Sequence, residues 1–533
     1  MTAHRRPRAI AGFALTLLAL LVVWPRVAEA AETPNFARLA ASAEATRPPA
    51  PGMASARRLP VPRAAGPDVR RVRYRYGPID VTPGQNWINL GAMTAAQKPA
   101  RAGFITRIRP DLVRADGTVP PSNEVMFHHG VWLNASRPDA TSPGLPERFF
   151  AAGEEKTILT LPRGFGYPVK RSDRWLMNDM IHNLVSSRMK LYITYDVDFV
   201  PARSPTGRRM QPVRPVWMDV ENGASYRVFD VKRGSGRKGR FTYPDQAKRP
   251  WPAKNVWTVD RPGVLVATSG HLHSGGLWTD LSAERDGRAR PVRLFRSKAR
   301  YFEPAGPVSW DVAMTATRPD WRIRVRRGDR LRISATYETE RASWYESMGI
   351  MVVYMARGRR GVDPFSDSAK VRTTGATTHG HLHENDRHGG GAAIYPDARR
   401  LAPAASMATS LDISGFRYAQ GDLGGQGRAR MPPLVAPGQP LTFRNLEGGT
   451  DRRIYHTVTA CAAPCAGAPG IAYPLANGGV DFDSGQLGYG PSGMTAAVNR
   501  DSWSTPTTLA AGSYTYFCRV HPFMRGAFRV APG

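Results

Sequence analysis

The chain has 533 residues, a formal charge of +31, 41% hydrophobic residues, three cysteines and twelve histidines. At roughly 100–200 residues per domain, this length excludes a single small module and allows several hydrophobic cores. Three cysteines exclude a disulfide-dense scaffold, so the folds must stand on apolar burial. Apart from His4, the histidines fall in five places, 128/129, 182, 271/273, 379/381/383/388 and 456/521. That bunching makes metal binding the first hypothesis.

Residues 1–30 read as a secretory signal peptide: Arg5, Arg6 and Arg8, then an apolar run from Ile10 to Trp24, then Ala28-Glu29-Ala30 as a cleavage site. The expected protein is therefore exported, periplasmic or extracellular, after cleavage near Ala30. Export argues against nucleic acid as the partner of the positive charge, leaving a solvated basic surface or contact with an anionic envelope surface. Residues 31–69, rich in Ala, Pro and Arg, read as a disordered linker.

From Arg70 onward, short runs rich in Val, Ile, Tyr, Phe and Trp alternate with Gly, Pro, Asp and Asn, which predicts an all-β chain of sandwiches. A first sandwich is expected over 70–205 and a second over 206–357, with the polar, Pro-rich stretch Arg203–Pro215 as their junction. A Gly/His-rich linker follows over 358–408, and a last β module over 409–533.

Four segments carry candidate ligands in the first two modules: His128-His129-Gly130, His182, His271-Leu272-His273, and Met348 at the head of the apolar run Gly349–Met355. Residues i and i+2 of a strand share a face, so His271 and His273 can clamp one ion. Adjacent His128 and His129 need a bend or bulge to do so, which Gly130 would permit. Met351 and Met355 fall on the strand face opposite Met348. In the linker, His379, His381, His383 and His388 form either a further metal site at the join of the modules or a His-rich surface tract.

The last module holds Cys518-Arg-Val-His521-Pro-Phe-Met524, with His456 about sixty residues upstream. A thiolate, two imidazoles and a thioether form the ligand set of a blue copper site, and a tight loop between two strands can aim three of them at one point. Cys461 and Cys465 are close enough in sequence to form a small disulfide in an oxidising compartment, the alternative being free thiols or an additional soft-metal contact. This module resembles the cupredoxins, most closely the amicyanin- and plastocyanin-like members. Phe517 and Arg519 flank Cys518 where multicopper oxidases carry histidines, which argues against an oxidase or nitrite-reductase-like arrangement.

Taken in order, the central residues resemble the copper type II, ascorbate-dependent monooxygenases, the family of peptidylglycine α-hydroxylating monooxygenase and dopamine β-monooxygenase. The resemblance implies that His128, His129 and His182 hold an electron-storing copper. It also implies that His271, His273 and Met348 hold the catalytic copper that uses O2, the two facing each other across an open cleft between jelly-roll-like sandwiches. The expected function is hydroxylation of a C–H bond in an organic substrate. An external one-electron donor, a small reductant or a redox protein, would feed the coppers through the fused type 1 site. The alternative is a non-catalytic copper carrier or storage protein. The peptidylglycine enzymes place an Arg two residues before the His-x-His pair and a Tyr four after the Met to hold a peptide carboxylate. Here those positions are Ser269 and Val352, so a glycine-extended peptide is not the expected substrate.

Overall fold

The computed structural model describes residues 68–85, 93–120, 124–185, 187–221, 229–247, 255–288, 290–301, 312–340, 344–378, 395–447, 454, 456–461, 482–484, 487–488, 501–521 and 523–533. The signal peptide, the N-terminal linker, His379, His381, His383, His388 and Cys465 lie outside them, and so does the expected Cys461–Cys465 pairing. The described chain is all β, in several sheets. Among the described residues, no helix is long and apolar enough to cross a membrane.

In the first half, a four-stranded sheet runs in the order Thr94–Ala96, Trp175–Asn183, Val125–Pro138, Pro146–Ala152. It packs on a longer sheet in which Gly103–Arg114 pairs with Met189–Pro201. Alternation along Met189–Pro201 sends Leu191, Ile193, Tyr195 and Val197 into the core, each with no exposed surface. Arg148 is fully buried in this half and forms a forked ion pair with Asp139 at 2.8 and 2.9 Å.

The long sheet does not stop at the boundary between the halves. Strand Gln211–Asp219 lies parallel to Phe165–Gly166 of the first half and antiparallel to Gly349–Ala356 of the second. The junction expected over Arg203–Pro215 is thus a loop only as far as Met210, after which it becomes a strand joining the two halves. The linker expected over 358–408 is likewise structured at its ends. Ala376–Thr378 pairs with Val312–Ala316, and the Tyr395 hydroxyl donates to the Phe523 carbonyl at 2.9 Å.

Strand Gly349–Ala356 divides its side chains by parity. Ile350, Val352 and Tyr354 join the core of the first half together with Met348, whereas Met351, Val353 and Met355 join that of the second. The expected opposition of Met348 to Met351 and Met355 holds. The last module has two four-stranded sheets, one built on Ser410–Ser414 and Thr442–Asn445, the other on Gly512–Phe517 and Arg525–Val530.

Removing Asp139 would leave the Arg148 guanidinium buried without its carboxylate. Asp139→Ala is expected to destabilise the first half by about 3–5 kcal/mol, read as an earlier transition in urea titrations followed by circular dichroism, with Asp139→Asn falling between the two.

Candidate metal centre

Strand Gly512–Phe517 delivers Cys518, and Met524 sits directly before strand Arg525–Val530. The loop between them is closed by Cys518 N–H donating to the Met524 carbonyl at 3.1 Å and by Met524 N–H donating to the His521 carbonyl at 2.8 Å. His456 enters from the neighbouring segment through its bridge to Leu487. His456, Cys518 and His521 have no exposed surface, and Met524 has 1%. The two Nδ1 atoms are 3.2 Å apart, and Sγ lies 3.9 Å from that of His456 and 3.8 Å from that of His521. The point equidistant from three atoms so spaced lies about 2.1 Å from each, which matches metal–nitrogen distances of about 2.0–2.1 Å and metal–sulfur distances near 2.3 Å. Among the described residues this is the one group of three or more His, Cys, Asp or Glu gathered tightly enough for an ion.

Outer partners fix both imidazoles. His456 Nε2–H donates to Glu447 at 2.6 Å, and His521 Nε2–H donates to the carbonyl of Gly84, in the first half, at 2.9 Å. Each bond leaves Nδ1 for the metal. Burial opposes a charge on His456, but hydrogen bonds to Cys518 and Glu447 prevail and push its pKa up to about 9. Burial, and then the neighbouring His456, hold His521 well below its ordinary range. Cys518 Sγ accepts N–H groups from Thr457 and His521 at 3.3 and 3.4 Å, which suits a thiolate.

Gly84 itself is sterically specified. It has φ +59°, and a Cβ there would lie 2.0 Å from the Phe416 ring, which stacks edge-on against His521 with centroids 5.0 Å apart. Gly84 N–H donates to Val185 O, and Asn183 N–H to Gln85 O, so this loop is tied to the end of the strand bearing His182.

The remaining five described histidines form one buried cluster. The pairing register slips between Phe127 and His129, so His128 is the extra residue of a bulge. That is the bend the adjacent pair required, located at His128 itself, and it brings the two Nδ1 atoms to 3.4 Å. The second pair ends strand Gly263–Leu272, whose register reaches His271↔Ile350 and Leu272↔Gly349 and places His273 and Met348 one step further on. The Tyr337 hydroxyl secures that end: it accepts from His273 N and Met348 N at 3.2 and 3.0 Å and donates to Met348 O at 2.6 Å.

The two histidine sets do not face each other across an open cleft. The His128 and His273 rings are in edge contact, with centroids 4.4 Å apart. The cause is the shared sheet, which lays the apolar face of Met348, Ile350, Val352 and Tyr354 on the first core. Nor is the expected trio His128, His129 and His182 gathered as tightly as the thiolate site: the His128 and His182 centroids are 6.3 Å apart. Burial, the largest influence on each, pushes His129 and His182 down to about 3 and holds His128 well below its ordinary range, so these rings are neutral, the form that binds metal.

His271 presents the clearest ligand geometry. Its Nδ1 lies 3.1 Å from both Glu155 oxygens, while its buried Nε2 has no hydrogen-bond partner. A carboxylate behind an imidazole whose other nitrogen is open is a usual outer arrangement of a metal ligand. Glu155 belongs to the turn Gly153–Lys156, where a Cβ on Gly153 would come within 2.7 Å of His271 Cε1. Burial also raises Glu154 to about 7 despite the nearby Lys156. Sequence reasoning missed Glu155, Glu447, Tyr337 and Gly84. The one available signal was Gly153-Glu154-Glu155-Lys156, three charges directly after the apolar run Phe149–Ala152.

No protein-family model matches the chain, and no curated protein does. Among solved structures it is similar to variants of amicyanin. One, a reduced Cu(I) form at pH 4, has 23% identity over 26% of this chain and 96% of that chain, with a TM-score of 0.14. A Cu(I) form of another variant has 23% identity over 26% and 99%, with a TM-score of 0.14.

Glu155→Ala would free the His271 ring to turn and would remove its outer partner. Metal affinity of the five-histidine cluster is expected to fall roughly 10–100-fold, measured by competitive copper titration, while the Cys518 site keeps its affinity.

Proposed function

We propose that this protein is an exported, copper-dependent monooxygenase in which the five-histidine cluster and Met348 hold two coppers and the C-terminal cupredoxin-like module is a built-in one-electron relay. The observation that carries this reading is the contact between the two centres: His521, a ligand of the proposed blue site, stands edge-on to His182 with centroids 6.1 Å apart. An electron leaving the thiolate site therefore has imidazole against imidazole as its exit. The donor sets fit copper at both places, through the thiolate geometry at Cys518 and the buried, open Nε2 of His271.

Bound copper would supply the one-electron redox steps and the activation of O2. The overall change is RH + O2 + 2 e⁻ + 2 H⁺ → ROH + H2O, with both electrons drawn singly from an external reductant. The chain's own residues supply the rest. Glu155 orients His271, Tyr337 holds Met348 beside His273, and the apolar faces of the two halves exclude water from the cluster. Gly84 and Phe416 hold His521 against the first half.

A carrier or storage role is favoured by a different observation, that the thiolate site is the one preassembled group among the described residues. Anaerobic reduction followed by O2 exposure separates the two: a carrier reoxidises without product, whereas a monooxygenase couples O2 uptake to a hydroxylated substrate.

Cys518→Ser is expected to abolish the blue absorption and cut turnover with the physiological donor to near background, and unchanged turnover would refute the relay. Gly84→Val is expected to keep the blue spectrum but slow intramolecular reduction of the histidine cluster, followed by flash reduction, because the added side chain must push Phe416 and the module away.

A further inference from the structure

We infer that the cavity bounded by His271 receives a small, neutral, largely apolar molecule and holds it by a hydrogen bond to Thr157. What then happens to that molecule rests on the monooxygenase reading. The cavity lies between the halves, about 40 Å³ in volume, with walls that include Leu159, Ala267, Ile350 and Val352. One water needs roughly 10–15 Å³ on the same measure, so the space takes a short alkyl segment and not a peptide.

Charge decides the substrate class. No Asp, Glu, Lys or Arg lines the cavity. A carboxylate or ammonium group would be desolvated there with no countercharge. Ser269 and Val352 are direct cross-strand partners and both face this space, so two neighbouring wall positions carry a small hydroxyl and an aliphatic group.

Most polar groups of the wall are engaged. Thr268 Oγ1 donates to Val352 O at 3.0 Å, Ser269 Oγ donates to Thr315 O at 3.2 Å, and Thr317 Oγ1 accepts from Thr268 N at 3.0 Å. Thr157 differs. It is 7% exposed, and its buried Oγ1 has no hydrogen-bond partner in the protein. A hydroxyl so placed can donate to a ketone or accept from an alcohol, and leaving it unmade is costly. The structure therefore assigns Thr157 as a specificity-determining residue for one neutral polar group on an otherwise apolar ligand.

The test titrates butan-2-one and butanoate into the copper-loaded, reduced full chain under anaerobic conditions, followed by ligand-observed NMR at neutral pH. Saturable ketone binding, with butanoate at least roughly tenfold weaker, is expected. Thr157→Val, close to isosteric, should weaken the ketone about fivefold, the equivalent of one neutral hydrogen bond. Thr160→Trp, at an exposed position on the rim, should abolish ketone binding without affecting folding. Equal affinity for butanoate, or ketone binding untouched by both substitutions, overturns the inference. Ketone binding lost on Thr160→Trp but never accompanied by O2-coupled product overturns the monooxygenase reading and supports the cavity assignment. Hydroxylation of a carboxylate substrate without ketone binding does the reverse.

Discussion

The hydrogen bond from His521 to the Gly84 carbonyl is the constraint on which the arrangement of the two centres depends. It sets the tautomer of a ligand at one centre by using a backbone group of the other module, so docking orients the His521 ring as well as placing it. The same logic recurs elsewhere. Glu447 holds Nε2 of His456 and leaves Nδ1 inward, while Glu155 holds Nδ1 of His271 and leaves Nε2 open. Two opposite tautomers are thus selected by two carboxylates, Glu447 nine positions from His456 and Glu155 116 positions from His271.

Docking draws on both halves. While Gly84 and Phe416 seal the contact with the first, Phe517 and Cys461 join the core of the second, and the Arg519 guanidinium lies over the Trp344 ring at 5.0 Å. The two halves are themselves fixed by the strand Gln211–Asp219, which pairs with both. In the proposed function, a relay built this way would not depend on transient collision. Burial of His128, His129 and His182 is tolerable because neutral imidazoles cost far less to desolvate than charged ones.

The sequence made the fold class and the Cys518–Met524 loop legible because both depend on short-range pattern. Alternation marks strands, and Cys518, His521 and Met524 lie in one loop whose spacing already encodes convergence. His271 and His273 were legible for the same reason. The neighbours that orient these ligands were not. Glu155 meets His271 across 116 positions and Gly84 meets His521 across 437, separations that no local rule reaches. The expected open cleft failed through the same blind spot: a strand that pairs with both halves is visible only in the sheet order, and it brings together what sequence spacing left apart.

The ring order gives the clearest argument for direction. From the thiolate site inward, centroid steps run 6.1 Å from His521 to His182, 6.3 Å to His128, 4.4 Å to His273 and 5.1 Å to His271. The apolar cavity adjoins the last of these rings, at the far end of the series from the thiolate site. In the proposed function, electrons and substrate would therefore have separate approaches, and neither would have to pass the other. His128, in the middle, touches rings from both expected ligand sets, and its place in the bulge is what closes the series. On a regular strand His128 would point away from His129. The irregularity that sharing one ion required instead sets His128 against rings of both sets.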